Sequence, residues 1–538
     1  MLFNRFNKGA INFVYLLIPI LLFCFSLSAL SNLPEVWAYY SDPSYAYLMN
    51  GLGVITGHPP NIIQHPGISM QIYIGMIIFF ATLLQGRSNF IESVIQSPES
   101  YLSFISHVNF LILIIVFATL SQTLQKRYGF KSLLIFQLAF ISCLNLFFPF
   151  ILLAMPEFLV LISSFICLTI VLNPLFARSN LKSRNTILGF FLAVGIMSKV
   201  IFAPIILMVL IVAGVKNFYR IFKMFFIFLL LHLTLVFGRI FEMFSWFLGS
   251  SKSLNRYDAI SGYSSEILFS NYQSAFNNLK SSLGYLIFLL FFTIAILLIF
   301  FIQKRITLLN RKILLGILTA LGSSLLTGYK ASAPRDFIVL GVLIPVLMAL
   351  VFQEIQKSRL EIAIFSMCII FLIPTLTWNV GSTVNSLNNN ITDSEKSKAD
   401  LFRVESIVGN SWLIGQYGLM TENAALQFGN NWAGSHFSKE ISRKYPNAIE
   451  FNVWDSNFYY NNPESDLEIL TCPNLSKLIG REKLFAIVLN LDLEKRLQEQ
   501  DSYLNFSDDI QMEIDHKWSF HNYMLFEIST VRCNVLNE

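Results

Sequence analysis

Three charged side chains interrupt or border long apolar runs in this sequence. Asp42 follows the first run, Glu157 follows a proline between two later runs, and Lys199 separates two more. A charged group within or at the rim of a bilayer costs about 2.5–3.5 kcal/mol on insertion scales, so each is a candidate for function. A carboxylate there can accept a proton from an attacking hydroxyl, and a lysine can hold a phosphate.

Four further side chains have the chemistry to bind a phosphate. His58 and His65 each precede a proline, and Lys330 and Arg335 lie in one short polar segment. Cations hold a phosphate and stabilise it as a leaving group. Together with the carboxylates, they favour transfer of a sugar from a lipid-linked phosphate at the outer membrane surface.

Each of these residues also has a structural interpretation. Asp42, which precedes Pro43, and Glu157 could cap helices. Lys199 and Arg335 could extend toward the outer lipid headgroups. The histidines of the two His-Pro pairs could be turn residues. The functional interpretation therefore depends on the whole set, which comes from four separate loops.

Composition divides the chain into two parts. Of the 538 residues, 54% are hydrophobic and 13% charged, half the charge of a typical soluble domain, about 25%. This excludes an ordinary cytosolic enzyme, a disordered chain and a nucleic-acid binder. Residues 1–380 carry 25 lysines and arginines against 11 acids, whereas residues 381–538 carry 13 against 22. We expect a membrane domain over 1–380, an Asn- and Ser-rich linker over 381–398, and an acidic domain of α/β or α+β type over 399–538.

The membrane domain is predicted to be a polytopic α-helical bundle of about eleven spans. The apolar runs cover 10–30, 103–121, 133–154, 157–175, 186–197, 201–215, 224–247, 283–302, 313–328, 337–352 and 362–378. Basic clusters mark cytoplasmic loops, and their spacing agrees only if the additional run 69–85 does not cross. We expect 69–85 to be a re-entrant or juxtamembrane helix; a twelfth crossing is the alternative.

This topology places the amino terminus in the cytoplasm and the acidic domain outside. All the candidate residues then fall in outer loops, as in a multi-pass protein of a bacterial inner membrane. Cys472 and Cys533 lie in the acidic domain. They could form a disulfide in an oxidising compartment or remain free thiols.

The order of several short motifs is shared with a known family. They are Asp42 with Ser44-Tyr45-Ala46-Tyr47 and Gly51, a His-Pro element, Pro156-Glu157, the stretch from Gly189 to Gly195-Ile196-Met197-Ser198-Lys199, and the segment from Lys330 to Pro345. In this order the chain resembles the GT-C superfamily of polyprenyl-phosphate-sugar-dependent glycosyltransferases, in the branch of the protein O-mannosyltransferases and lipid A aminoarabinose transferases.

The resemblance implies roles for individual residues. Asp42 would be the catalytic base, and Glu157 would help to bind the acceptor, or a metal as in some members. Lys199 would contact the lipid phosphate. His58 or His65, and Arg335 or Lys330, would add basic contacts to it.

The implied partners are a polyprenyl-phosphate sugar donor, the bilayer, and a lipid, glycan or protein acceptor. No cofactor is certain. Family members commonly have two adjacent acids at the first site, whereas Pro43 follows Asp42 here, so the expected site residues include no assigned metal ligands. A divalent metal stays an open alternative.

Two other functions have less support in the sequence. A polymerase or ligase of lipid-linked glycans would need several arginines in the large outer loops, whereas 249–282 offers only Arg256. A transporter would place its acids near the membrane midplane and often show repeats, and neither feature is visible in the sequence.

The topology predicts which introduced cysteines a membrane-impermeant maleimide can reach in intact cells. Ser88→Cys and Ser476→Cys should both be labelled, because 69–85 does not cross and the acidic domain is outside. Ser183→Cys, within a basic cluster, is the unlabelled control. Protection of Ser88→Cys would support twelve crossings instead.

Overall fold

The computed structural model describes most of the chain. It covers residues 14–31, 35–38, 41–63, 67–173, 181–247, 308–328, 337–355, 361–408, 412–416, 421–446, 448–452, 457–461, 467–470, 483–489, 497–498, 503–507, 510–519 and 523–533. Contacts divide the chain into two compact units. The first unit comprises Met1–Ser31, Ile63–Met70 and Ser106–Ser386, and the second comprises Asn32–Ile62, Gln71–Ile105 and Leu387–Glu538.

Helices dominate the described part of the chain. They are α1 Leu17–Ser31, α2 Ser41–Ile55, α3 Ile68–Leu84, α4 Phe90–Gln96, α5 Pro98–Tyr128, α6 Phe130–Ile141, α7 Leu144–Leu152, α8 Pro156–Leu172, α9 Leu181–Ser198, α10 Ala203–Thr234, α11 Ile240–Phe247, α12 Leu308–Gly328, α13 Ile338–Ile355, α14 Glu361–Val408, α15 Glu422–Trp432 and α16 Ser438–Lys444. Ten of the eleven predicted apolar runs fall on these helices, and the run 283–302 lies outside the described residues.

Few of these helices are individually long and apolar enough to cross a bilayer. Among the described residues, Pro98–Tyr128 and the Asn217–Thr234 part of α10 qualify, and α6 with α7 would make a third if that pair, bent by 71°, is one span. The predicted number of eleven spans therefore stays a prediction. The helix α3 covers the run 69–85 and is among the shorter apolar helices.

Breaks in the helices separate the short apolar segments. Within α10, Gly214 has φ 68° and ψ 167°, so two helical segments meet at this residue. A positive φ is readily adopted only by glycine. The break falls at the end of the predicted run 201–215, just before the basic residues that separate it from the run 224–247.

A mixed sheet forms much of the carboxy-terminal part, as expected for an α/β or α+β domain. Its spatial order is β4-β3-β2-β1-β5-β9-β8-β7-β6. Among the described strands, the β1–β2 and β1–β5 pairs are parallel and the other pairs are antiparallel. The strands are β1 Trp412–Gln416, β2 Ala448–Asn452, β3 Asn457–Asn461, β4 Leu467–Leu470, β5 Leu484–Leu489, β6 Leu497–Gln498, β7 Tyr503–Ser507, β8 Ile510–Ser519 and β9 Tyr523–Cys533.

The residues predicted as a linker, 381–398, are helical. They lie inside α14, which runs without interruption from Glu361 to Val408. Near its end, Val404 and Val408 pack against Phe485 and Leu525 of the sheet in one buried apolar cluster. Burial of this apolar stripe fixes the end of the helix on the sheet and explains why a polar, Asn-rich stretch is ordered.

The second unit also contains residues from the first predicted outer loop. The helix α2 packs closely on α15, and Gly429 allows this approach: a Cβ there would lie 2.8 Å from Met49 Cγ. At the carboxyl end of α15, the Trp432 carbonyl accepts hydrogen bonds from Asn50 Nδ2 at 3.1 Å and Asn61 Nδ2 at 2.9 Å. The carboxy-terminal residues thus belong to one compact unit with the first loop, and the predicted domain boundaries stay a prediction.

Gly429→Ala should destabilise the second unit by about 1–3 kcal/mol, because the added methyl overpacks the α2–α15 contact. Thermal unfolding of the purified protein in detergent would measure the loss. Gly381→Ala is the matched control, since a Cβ at Gly381 in α14 meets nothing within 4 Å. Equal melting temperatures for the two variants would contradict the close approach.

Candidate functional site

Glu157 lies in the first turn of α8, directly after the proline that begins the helix. Met155 has an extended backbone, and Pro156 fits the first helical position. The Glu157 residue is 1% exposed. A carboxylate at a helix amino terminus is favoured by the helix dipole. Its deep burial shows that it is not a solvated cap.

Side chains from α5 secure the turn before Glu157. α7 ends at Leu152, and its last carbonyls have no partner within the helix. Asn109 Nδ2 donates to the Ile151 carbonyl at 3.2 Å, and Ser106 Oγ donates to the Leu152 carbonyl. Asn109 and Ser106 are both buried. These two polar groups satisfy backbone that would otherwise be unpaired in an apolar interior.

Lys199 occupies the break between α9 and the following helices. α9 ends at Ser198, and Lys199 is extended, with φ −161° and ψ 142°. Its N–H donates to the Gly195 carbonyl, and its own carbonyl accepts from Phe202 N–H, both at 3.1 Å. The Phe202 ring lies so close to Gly195 that a Cβ there would be 2.6 Å away. The glycine of the Gly-x-Met-Ser-Lys motif therefore has a structural role. Because Gly195 has no side chain, the Phe202 ring can pack against it, and Phe202 N–H can donate to the Lys199 carbonyl.

The two turns bring Glu157 and Lys199 into an ion pair. Lys199 Nζ lies 2.6 Å from Glu157 Oε1, and the side chains are 13% and 2% exposed. Transfer of both charges from water carries a large desolvation cost, which only close, hydrogen-bonded geometry offsets. The lysine is the more accessible partner, so an entering anion would meet the ammonium first.

His58, in the second unit, stacks on a histidine from the carboxy-terminal part. Its ring lies 3.8 Å from the ring of His436, with the planes 10° apart, and Phe437 packs edge-on against both. Partial burial, and to a lesser degree the positive charge that His58 carries when protonated, lower the pKa of His436. The stack ties the His-Pro segment of the first loop to the loop between α15 and α16.

The remaining predicted site residues are only partly covered by the structure. Asp42 lies in the first turn of α2, and its side chain is outside the described part. His65, Lys330 and Arg335 lie outside the described residues. The catalytic and phosphate-binding roles of all seven residues stay predictions. Within the described part of the chain, no three His, Cys, Asp or Glu side chains form a group that could hold a metal.

One acidic residue near the first loop was missed in the sequence. Glu99 lies in the first turn of α5, directly after Pro98, and its carboxylate accepts from two backbone N–H groups and one tyrosine hydroxyl. The pattern of a proline followed by an acid at the start of an apolar helix is the one that identified Glu157. It could have identified Glu99 as well. His436 carries no comparable signal, because its partner is distant in sequence.

The buried pair should couple strongly in an unfolding experiment. Combining Glu157→Gln with Lys199→Met in a double-mutant cycle should give a coupling free energy of about 1–3 kcal/mol. Equilibrium unfolding in detergent with added SDS would measure it. The control cycle is Arg239→Met with Glu242→Gln, a more exposed pair at 2.8 Å, where we expect below about 1 kcal/mol. Equal coupling in both cycles would contradict a special role of burial.

Comparisons with known proteins identify the fold. No family model matches the sequence, and no curated protein matches it. Among solved structures, the chain is similar to ArnT from Cupriavidus metallidurans bound to undecaprenyl phosphate, with a TM-score of 0.50 and 11% identity over 94% of this chain and 97% of that one. The apo structure of ArnT gives a TM-score of 0.49 at 10% identity over the same shares. The chain therefore shares the fold of ArnT, and the fold that the resemblance led us to expect is confirmed.

Proposed function

We propose that this protein is an integral membrane glycosyltransferase that takes its sugar from a polyprenyl-phosphate donor. The observation that carries the proposal is the buried Glu157–Lys199 pair, with Nζ and Oε1 2.6 Å apart, in a chain with the fold of ArnT. A buried ion pair is weak evidence for stability alone. Two charges kept in an apolar interior therefore point to a functional use.

The fold relative supplies the class of donor. The ArnT structure contains undecaprenyl phosphate, which is a lipid chain ending in a phosphate. A lysine ammonium at the end of α9 is suited to bind such a phosphate by a charge-assisted hydrogen bond. We assign this role to Lys199, with additional basic contacts from Arg335 or Lys330 and from His58 or His65.

The reaction then follows from the roles of the residues. The acceptor hydroxyl oxygen attacks the anomeric carbon while Asp42 takes its proton. The bond between that carbon and the phosphate oxygen breaks, and both of its electrons stay on the phosphate. Lys199 stabilises the polyprenyl phosphate as it leaves, and the configuration at the anomeric carbon inverts.

Glu157 fits a role in ordering the cation and the acceptor. Its carboxylate holds the Lys199 ammonium at 2.6 Å, which limits the conformations of a long side chain that would otherwise lose entropy on binding. A lysine held in this way is preorganised for the phosphate. The acceptor is a lipid, glycan or protein at the extracytoplasmic face of a bacterial inner membrane.

Two variants separate donor binding from the chemical step. Lys199→Ala should weaken binding of undecaprenyl phosphate to the purified protein about 10–100-fold, the equivalent of losing about 1.5–3 kcal/mol in one charge-assisted contact. Asp42→Asn should retain that binding and lose sugar transfer, because an amide does not accept a proton at neutral pH. Transfer would be followed by mass spectrometry of envelope lipids and glycans in a deletion strain complemented with each variant.

The matched control is Lys182→Ala. Lys182 is exposed near the opposite end of α9, about 25 Å from Lys199 at 1.5 Å rise per residue, and should leave both readouts unchanged. Undecaprenyl phosphate binding that is equal in Lys199→Ala and wild type would remove the lysine from the donor site. An envelope unchanged by deletion of the protein would overturn the proposed function.

A further inference from the structure

The Glu99 carboxylate accepts hydrogen bonds from two separate segments of the first loop. Oε2 accepts from Val36 N–H at 2.8 Å, and Oε1 accepts from Trp37 N–H at 3.1 Å. Oε1 also accepts from the Tyr45 hydroxyl at 2.7 Å. Three donors on one carboxylate make a strong, charge-assisted cluster.

These donors lie on both sides of Asp42 in the chain. Val36 and Trp37 belong to the 3₁₀ turn Val36–Ala38, which precedes Asp42, and Tyr45 lies one helical turn after Asp42 in α2. The two amide groups are at the start of a helical turn, where backbone donors lack partners within the turn. Glu99 supplies those partners and connects the turn to α2.

Other contacts hold the two bracketing segments in place. Trp37 Nε1 donates to Glu35 Oε2 at 2.7 Å, and Lys398 Nζ of α14 lies 3.0 Å from Glu35 Oε1. The Tyr45 side chain is fully buried, in the helix that packs on α15. The segment before Asp42 and the helix that contains it are therefore anchored independently, and Glu99 links them.

We propose that Glu99 is a positioning residue for Asp42, acting through the turn Val36–Ala38 and the Tyr45 hydroxyl. The inference rests on the proposed function, since it takes Asp42 as the base of the transfer reaction. Glu99 fixes the backbone on both sides of that base. Catalysis by a general base depends on such placement, because small displacements of a reacting group cost large factors in rate.

Glutamine at position 99 would test the carboxylate with little change in volume. A glutamine has one acceptor oxygen and one NH₂ group. In either orientation of the amide, the NH₂ group would face the backbone N–H of Val36 or of Trp37, which then loses its acceptor. Glu99→Gln should lower kcat about 10–100-fold while the Kd for undecaprenyl phosphate stays within twofold. Tyr45→Phe removes only one of the three donors and should give a smaller fall in kcat, about 3–10-fold.

The control is Glu92→Gln on the neighbouring helix α4. The Glu92 carboxylate is exposed and accepts from the side chain of Asn89, so this variant should match wild type in both readouts. Turnover would be measured as release of undecaprenyl phosphate from lipid-linked sugars extracted from the host membranes. The rate would be divided by the number of sites that bind undecaprenyl phosphate, which removes the effect of any misfolded fraction.

Backbone hydrogen exchange separates positioning from a general loss of stability. In Glu99→Gln, faster exchange should be confined to peptides covering residues 35–48, with an unchanged melting temperature. An unchanged kcat per binding site in both Glu99→Gln and Tyr45→Phe would overturn the inference, and so would a fall in donor binding equal to the fall in kcat. If wild type itself releases no undecaprenyl phosphate, the proposed function has failed instead.

Discussion

The ion pair between Glu157 and Lys199 is the constraint that explains the local structure of the first unit. Both charges are largely removed from water, and their mutual attraction offsets the desolvation cost only at hydrogen-bond distance. The backbone at the start of α8 and at the end of α9 must therefore hold each side chain at a defined position. The turn before α8 and the break after α9 meet that need, and Asn109 and Gly195 are the residues that make these turns possible.

The second unit also contains a glutamate at the start of an apolar helix, but there its carboxylate binds different groups. Glu99, like Glu157, follows a proline at the start of an apolar helix, where the helix dipole favours an acid. Glu157 pairs with a lysine, whereas Glu99 accepts from backbone amides and a tyrosine hydroxyl. One carboxylate thus orders a cation, and the other orders backbone. The chemistry of a Pro-Glu pair at a helix start depends on which segment packs across it.

The sequence identifies a residue reliably where one free-energy cost outweighs all others, such as the cost of placing a charge in an apolar environment. A charge inside an apolar run is expensive whatever surrounds it, so Glu157 and Lys199 could be selected without a structure. The helical character of the apolar runs and the sheet of the last domain were predicted on similarly local grounds. The helix over 381–398 was missed because its order depends on distant residues: Val404 at its end packs on Phe485 of the sheet, and tertiary packing overrides a weak local preference.

Residues of the carboxy-terminal part also stabilise the first loop and the helix α4 through hydrogen bonds between positions far apart in the sequence. Lys444 of α16 donates to the Ile95 carbonyl at 2.9 Å and the Gln96 carbonyl at 3.2 Å, which satisfies the end of α4. Trp432 of α15 offers its carbonyl to Asn50 and Asn61. Partly buried backbone groups without partners are costly, so the first loop and α4 both depend on residues more than 300 positions later. The carboxy-terminal part therefore belongs to the same compact unit as the first loop and the helix α2, which contains Asp42.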